Sequence, residues 1–295
     1  MREILVLGGT RFFGKKLVSR LIGQPDNRVT LLTRGNAPDD FGDKVRRLRA
    51  NRSDPQQLED VLGNSSWDVV YDNICYSPND ALAAQNLFKD RTAKYILTSS
   101  MSVYDPSPEA LTEAVFDPYR YPIRRGDRDD FTYQEGKRLA EAVLLQQSGF
   151  PVSAVRFPIV LGTDDYTRRL HFHIEHIRNG VPIGVPNLDA RISFITSDEA
   201  ADFLDGLGRS KLTGPVNACS DGTVSIGEVI AMLEREIGIK ADVRSETPEE
   251  DASPFGIEGS WYMDTTYAQT AGFAFLELPE YLPSLIASID SEFRK

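Results

Sequence analysis

Behind a short apolar run, Ile4 to Leu7, the chain reads Gly8-Gly9-Thr10-Arg11-Phe12-Phe13-Gly14 and then sets Leu17, Val18, Leu21 and Ile22 at helical spacing. Few sequence features restrict a fold more. A run that is apolar without alternation predicts a strand buried on both faces. A glycine-rich turn opening a helix predicts an anion site, because free N–H groups and the helix dipole both point at it. Gly8 and Gly9 permit the tight turn and the close approach of backbone, and Gly14 lets the helix pack on the strand. In this setting Gly8, Gly9, Thr10, Arg11, Phe12, Phe13 and Gly14 are expected to cradle the pyrophosphate of a dinucleotide.

The alternation continues. Val29 to Thr33 and Val45 to Leu48 read as strands, and Asp54-Pro55 reads as a helix cap with proline in the first turn. Val69 to Ile74 and Tyr95 to Thr98 read as strands around a helix through Ala81 to Phe88. Phe131 to Gln147 is helical in composition, and Val152 to Phe157 is a strand stopped by Pro158. This spacing implies right-handed crossovers, hence an α/β fold with a Rossmann-type doubly wound parallel sheet. A coenzyme-binding domain is expected over 1–160. From 161 to 295 the pattern loosens into a smaller substrate lobe, with roughly 190–208 returning to the core sheet as a strand (Ile192 to Ile195) and a helix (Asp198 to Leu207). A helix over Ser225 to Ile237 opens with a capping box, Ser225 and Glu228.

Composition narrows the partners. The 295 residues exceed one ordinary core, and 44 acids against 33 bases leave a net charge of −11. A field of that sign disfavours nucleic acid and anionic membrane surfaces, so a small-molecule substrate is expected. Cys75 and Cys219 are too few for a disulfide scaffold, and with His171, His173 and His176 they make no ordinary metal-ligand set, so no metal is expected. No apolar run suits a signal peptide or a membrane span, which predicts a cytoplasmic protein.

Arg34 stands just past the second strand, where a carboxylate would hold the ribose of NAD. With Arg11 it is expected to grip a 2′-phosphate, making NADP the expected coenzyme and NAD the alternative. Tyr133 and Lys137 lie four residues apart on one helical face, and a fixed cation favours the phenolate of a residue whose ordinary pKa is about 10. Thr98-Ser99-Ser100-Met101-Ser102-Val103-Tyr104 ends a core strand, where open α/β sheets place ligands; Ser102 is a candidate substrate contact. The charged run Arg120 to Asp130 reads as a solvated loop placed to cover the site. Among the histidines His171 is the candidate substrate contact, and Cys75 beside Tyr76 reads as packing.

Taken together, the Gly8–Gly14 loop, Ser99–Tyr104, Tyr133 to Glu141 (YQEGKRLAE), Arg156 to Gly162, Arg191 to Ala201 and Asn217 to Glu228 resemble the short-chain dehydrogenase/reductase superfamily. The likeness is to its extended NAD(P)-dependent epimerase/dehydratase branch, and GGTRFFG followed by VTLLTRG is similar to the atypical subgroup of the chloroplast stem-loop-binding proteins. The resemblance implies Tyr133 as acid/base, Lys137 as holder of the nicotinamide ribose, Ser100 as the catalytic serine, Arg191 as a diphosphate contact, and Asp54 as the acid left near the coenzyme. It also implies hydride transfer at a carbinol or carbonyl carbon of a small polar metabolite such as a sugar, and a homodimer through Phe131 to Gln147. The subgroup likeness carries an alternative, a non-catalytic coenzyme-binding regulatory or RNA-associated protein. Arg11 in place of the middle glycine, Ile159, Asn51 and Asp72-Asn73 depart from the branch's pattern and weigh against a nucleotide-sugar substrate.

Overall fold

A parallel strand covered on both faces needs apolar side chains pointing both ways, and β1 (Arg2–Leu7) supplies them: Ile4 and Val6 enter one core layer, Leu5 and Leu7 the other. The structure is a computed structural model describing residues 1–294; Lys295, the end of the expected second lobe, lies outside the described residues. After β1 the chain runs through α1 (Phe12–Ile22), β2 (Asn27–Thr33), β3 (Val45–Arg49), α2 (Pro55–Leu62), β4 (Val69–Asp72), α3 (Pro78–Phe88), β5 (Tyr95–Ser100), α4 (Tyr133–Gln147) and β6 (Val152–Phe157). Then follow β7 (Ile159–Leu161), α5 (Arg169–Asn179), β8 (Ile183–Gly184), β9 (Arg191–Ile192), β10 (Phe194–Thr196), α6 (Ser197–Leu207), β11 (Gly214–Asn217), β12 (Val224–Ser225), α7 (Ile226–Ile237), β13 (Val243–Arg244), α8 (Thr266–Thr270) and α9 (Leu278–Asp290).

The main sheet has the order β11-β6-β5-β4-β1-β2-β3 with every pairing parallel, the doubly wound arrangement expected from the alternation. The chain reverses direction across the sheet between β1 and β4, so the loops after β1 and β4 splay apart and leave a crevice at the strands' C-terminal ends. One face is covered by α1 and α6, the other by α2, α3 and α4.

Local chemistry explains the boundaries. Asp54 caps α2 by accepting from Gln57 N, with Pro55 in the first turn. Ser225 and Glu228 make the reciprocal capping box of α7. β4 ends at Asp72, short of the expected Ile74, because the Asp72 carboxylate accepts from Ile74 N at 3.1 Å and turns the chain. The expected strand over Ile192 to Ile195 is divided: β9 pairs antiparallel with β12, and β10 pairs parallel with β7. In the segment 190–208, α6 packs against α1 on the sheet's face, and the strand that extends the sheet is β11. A separate apolar core, including Ile174, Ile177, Val229, Leu233, Leu282 and Ile286, holds α5, α7 and α9 together.

Candidate active site

The glycine loop is shaped by space. Gly8 sits at φ +80°, and a Cβ there would lie 2.5 Å from Ile74 Cγ2. A Cβ on Gly9 would strike Val18 Cγ2 at 2.6 Å, and one on Gly14 the Gly8 carbonyl at 2.7 Å. Phe12 is held at φ +52°, a left-handed conformation costing a bulky residue roughly 1–3 kcal/mol. At the start of α1 no side chain caps the helix and no acid stands in the first turn, which leaves its N–H groups open to an anion. Beside it lies a cavity of about 430 Å³, lined on one side by Gly8, Thr10, Arg11, Phe12, Phe13 and Gly14 and on another by Thr33, Arg34, Asn51, Arg52 and Ser53. An extended dinucleotide fits this wall: glycines where backbone must approach, free N–H groups for the pyrophosphate, and polar groups past β2 and β3.

The sequence-derived catalytic residues Ser100, Tyr133 and Lys137 are not among the residues lining this cavity; Tyr76, which lines it, lies 6.3 Å ring to ring from Tyr133. α4 approaches β4's exit so closely that a Cβ on Gly136 would lie 2.5 Å from the Tyr76 carbonyl. This places Lys137 in the interior, 1% exposed, where Nζ donates to Cys75 O at 2.8 Å and Thr98 O at 2.7 Å. Two carbonyls thus fix the ammonium, which lies 4.5 Å from the centre of the Tyr76 ring and 5.9 Å from that of Tyr133. Tyr133, one turn earlier, is 53% exposed and open to a ligand. Ser100, at the end of β5, accepts from Ser102 N at 3.1 Å and from Ser102 Oγ at 2.8 Å, so Ser102 orients the Ser100 hydroxyl.

A buried polar network supports this floor. Arg156 on β6 and Glu141 on α4 are both fully buried and joined at 2.6 Å. Glu141 also accepts from Ser99, the neighbour of Ser100, and Arg156 donates to Tyr104 Oη at 2.7 Å and to the Glu113 and Phe116 carbonyls. Tyr104 donates in turn to Asn217. Both ends of the serine segment are therefore tied to α4 and the sheet edge.

Other sequence-derived positions lie elsewhere. Asp54 spends its carboxylate on Gln57 and is not among the cavity's lining residues. Arg191 donates to Thr223 Oγ1 at 2.7 Å and to the Thr223 carbonyl at 2.9 Å, on the β9–β12 ribbon. His171 is buried against α9's end, 3.9 Å from Glu292, with burial holding its pKa below the ordinary value. Burial pushes the Cys75 thiol up to about 12, in keeping with a packing role. Among the cavity residues that escaped the sequence reading of the site are Arg52, Asn73, Tyr76, Arg128 and Tyr166. Asn73 donates to Gly8 O at 3.0 Å and accepts from Thr98, joining the glycine loop to β5. Arg52 is buried and donates to Asp72 Oδ2 at 2.6 and 2.7 Å. The departures Asp72-Asn73 and Asn51 were the signal that this wall is rebuilt.

The family model described as the NAD dependent epimerase/dehydratase family matches residues 4–217. No curated protein sequence matches the chain. Among solved structures, the Bordetella bronchiseptica enzyme WbmH in complex with NAD+ superposes with a TM-score of 0.74 at 14% identity, covering 100% of this chain and 99% of that one. The UDP-glucuronic acid 4-epimerase of Bacillus cereus in complex with NAD gives 0.72 at 17% identity, covering 99% and 100%. The UDP-glucose 4-epimerase of Thermotoga maritima with UDP-glucose gives 0.76 at 14% identity, covering 99% and 100%. These likenesses share the fold. They also correct the expectation of NADP as the coenzyme: the two structures named with a coenzyme hold NAD. In the structure Arg11 lies over the Tyr166 ring, its guanidinium carbon 5.6 Å from the ring centre.

Proposed function

Because the chain belongs to the NAD dependent epimerase/dehydratase family, and so is an enzyme of the NAD(P)-dependent epimerase/dehydratase class, we propose that it oxidises a carbinol carbon of a sugar carried on a nucleoside diphosphate; the UDP-sugar epimerases that share its fold support this against the departures at Ile159, Asn51 and Asp72-Asn73. When bound, NAD would supply the acceptor of the hydride. Tyr133 takes the proton of the hydroxyl as the carbon becomes a carbonyl, and returns it when the carbonyl is reduced. Ser100, oriented by Ser102, donates a hydrogen bond to the reacting oxygen. Lys137 holds the ribose side of the cleft with the proton its two carbonyl partners leave free, one helical turn from Tyr133. Gly8 to Gly14, with Asn51, Arg52 and Asn73, hold the dinucleotide.

The observation that carries this reading is the buried Lys137 ammonium, fixed by two carbonyls one helical turn from an exposed Tyr133. A cation taken out of water without a carboxylate partner is costly and serves no packing need that an apolar residue would not meet better. The test offers UDP-glucose, UDP-glucuronic acid and UDP-N-acetylglucosamine with NAD+ and follows the products by chromatography. Tyr133→Phe is expected to lower turnover of the accepted sugar at least about a hundredfold while NADH binding stays near wild type. Undiminished turnover in the variant would remove Tyr133 from the chemistry.

A further inference from the structure

Two cation–aromatic pairs at the rim of the cavity take no part in the reaction described above. Arg11, which opens α1, holds its guanidinium carbon 5.6 Å from the centre of the Tyr166 ring. Arg128, in the loop ahead of α4, holds its own 4.8 Å from the centre of the Tyr76 ring. All four residues line the same cavity, though they come from the glycine loop, the segment after β7, the loop before α4 and the turn after β4. Tyr166 is 62% exposed and meets Phe12 edge-on, with ring centroids 6.2 Å apart.

Charge points the same way. In a chain of net charge −11, the charged residues lining this cavity are four arginines, Arg11, Arg34, Arg52 and Arg128, and one acid, Asp80. Arg52 is already neutralised, 2.6 Å from Asp72 and 3.8 Å from Asp80. In the stretch ahead of α4, Arg128 is the guanidinium that lines this cavity, while Arg124 is held by Glu135. An exposed cation–aromatic contact is weaker than paired charge-assisted hydrogen bonds to phosphate. A diphosphate seated at the open N-terminus of α1 would therefore draw either guanidinium off its ring.

We propose that Arg11 and Arg128 form a clasp over the coenzyme's diphosphate, parked on Tyr166 and Tyr76 while the cleft is open and closing on the phosphates once the dinucleotide is seated. The proposal rests on the dinucleotide reading of the cavity. Both arginines are exposed, so their removal should leave folding intact. Stopped-flow fluorescence of NADH measures release from wild type, Arg11→Ala, Arg128→Ala and the double variant. Each single substitution is expected to speed release about tenfold and the double about a hundredfold, with smaller changes in association. The double variant is also expected to lose most of the salt dependence of NADH affinity. Release from the variants at the wild-type rate would overturn the clasp while leaving the dinucleotide reading in place. A wild-type protein that binds no NADH would overturn both.

Discussion

At His173 the balance between hydration and burial decides a protonation state. The ring is fully buried and stacked on Phe255, with centroids 4.4 Å apart. Nδ1 faces the Arg169 carbonyl at 2.9 Å and must donate to it, so Nε2 accepts from the Ser253 hydroxyl at 2.7 Å. That arrangement suits only the neutral ring, and burial lowers its pKa from 6.5 to about 4. The sign follows directly: the unfolded chain takes up the proton first as pH falls. The stabilisation is complete above about pH 6.5 and drains away between there and pH 4, by roughly 3 kcal/mol in all. Urea midpoints measured across that window should show the loss in wild type and a clearly shallower one in His173→Phe. Equal acid sensitivity in both proteins would show that the ring does not carry the effect.

Between elements, the pair Glu141–Arg156 fastens α4 to β6 beneath the serine segment. Removing one partner leaves a buried charge alone, so Glu141→Leu or Arg156→Met is expected to cost about 3–5 kcal/mol. Replacing both, as Glu141→Leu with Arg156→Met, should recover much of that cost, a non-additivity that urea unfolding of the four proteins measures. Additive losses would deny the coupling. This pair also shows where sequence reading stops. The glycine loop, the Asp54-Pro55 cap, the Ser225 capping box and the Tyr133–Lys137 spacing were legible because their chemistry is local, within one turn or one helix end. Glu141 and Arg156 are bare charges in sequence, and only the packing of a helix on a strand makes them one buried unit. Asp72 likewise closes β4, as that apolar run predicts, but its buried partner Arg52, twenty positions earlier, emerges only from the packing. His171 looked available to substrate because the docking of α9, which buries it beside Glu292, is set by apolar contacts more than a hundred residues downstream.

Over the whole molecule, one sheet carries a cleft at its topological switch point, and a second apolar core holds the C-terminal lobe. Among the described residues no helix is long and apolar enough to cross a membrane. The overall negative charge would repel a soluble polyanion, but the arginines gathered in the cleft give a short anionic ligand a local well. The most direct measurement of the central claim is an equilibrium titration of NADH, followed by its own fluorescence, into wild type and Gly14→Val. A side chain at position 14 would press on the Gly8 carbonyl from 2.7 Å and fill the cradle. The account predicts one equivalent bound per wild-type chain and affinity lowered at least tenfold in the variant. A wild-type chain that takes up no NADH, or a variant that binds it just as tightly, would contradict it.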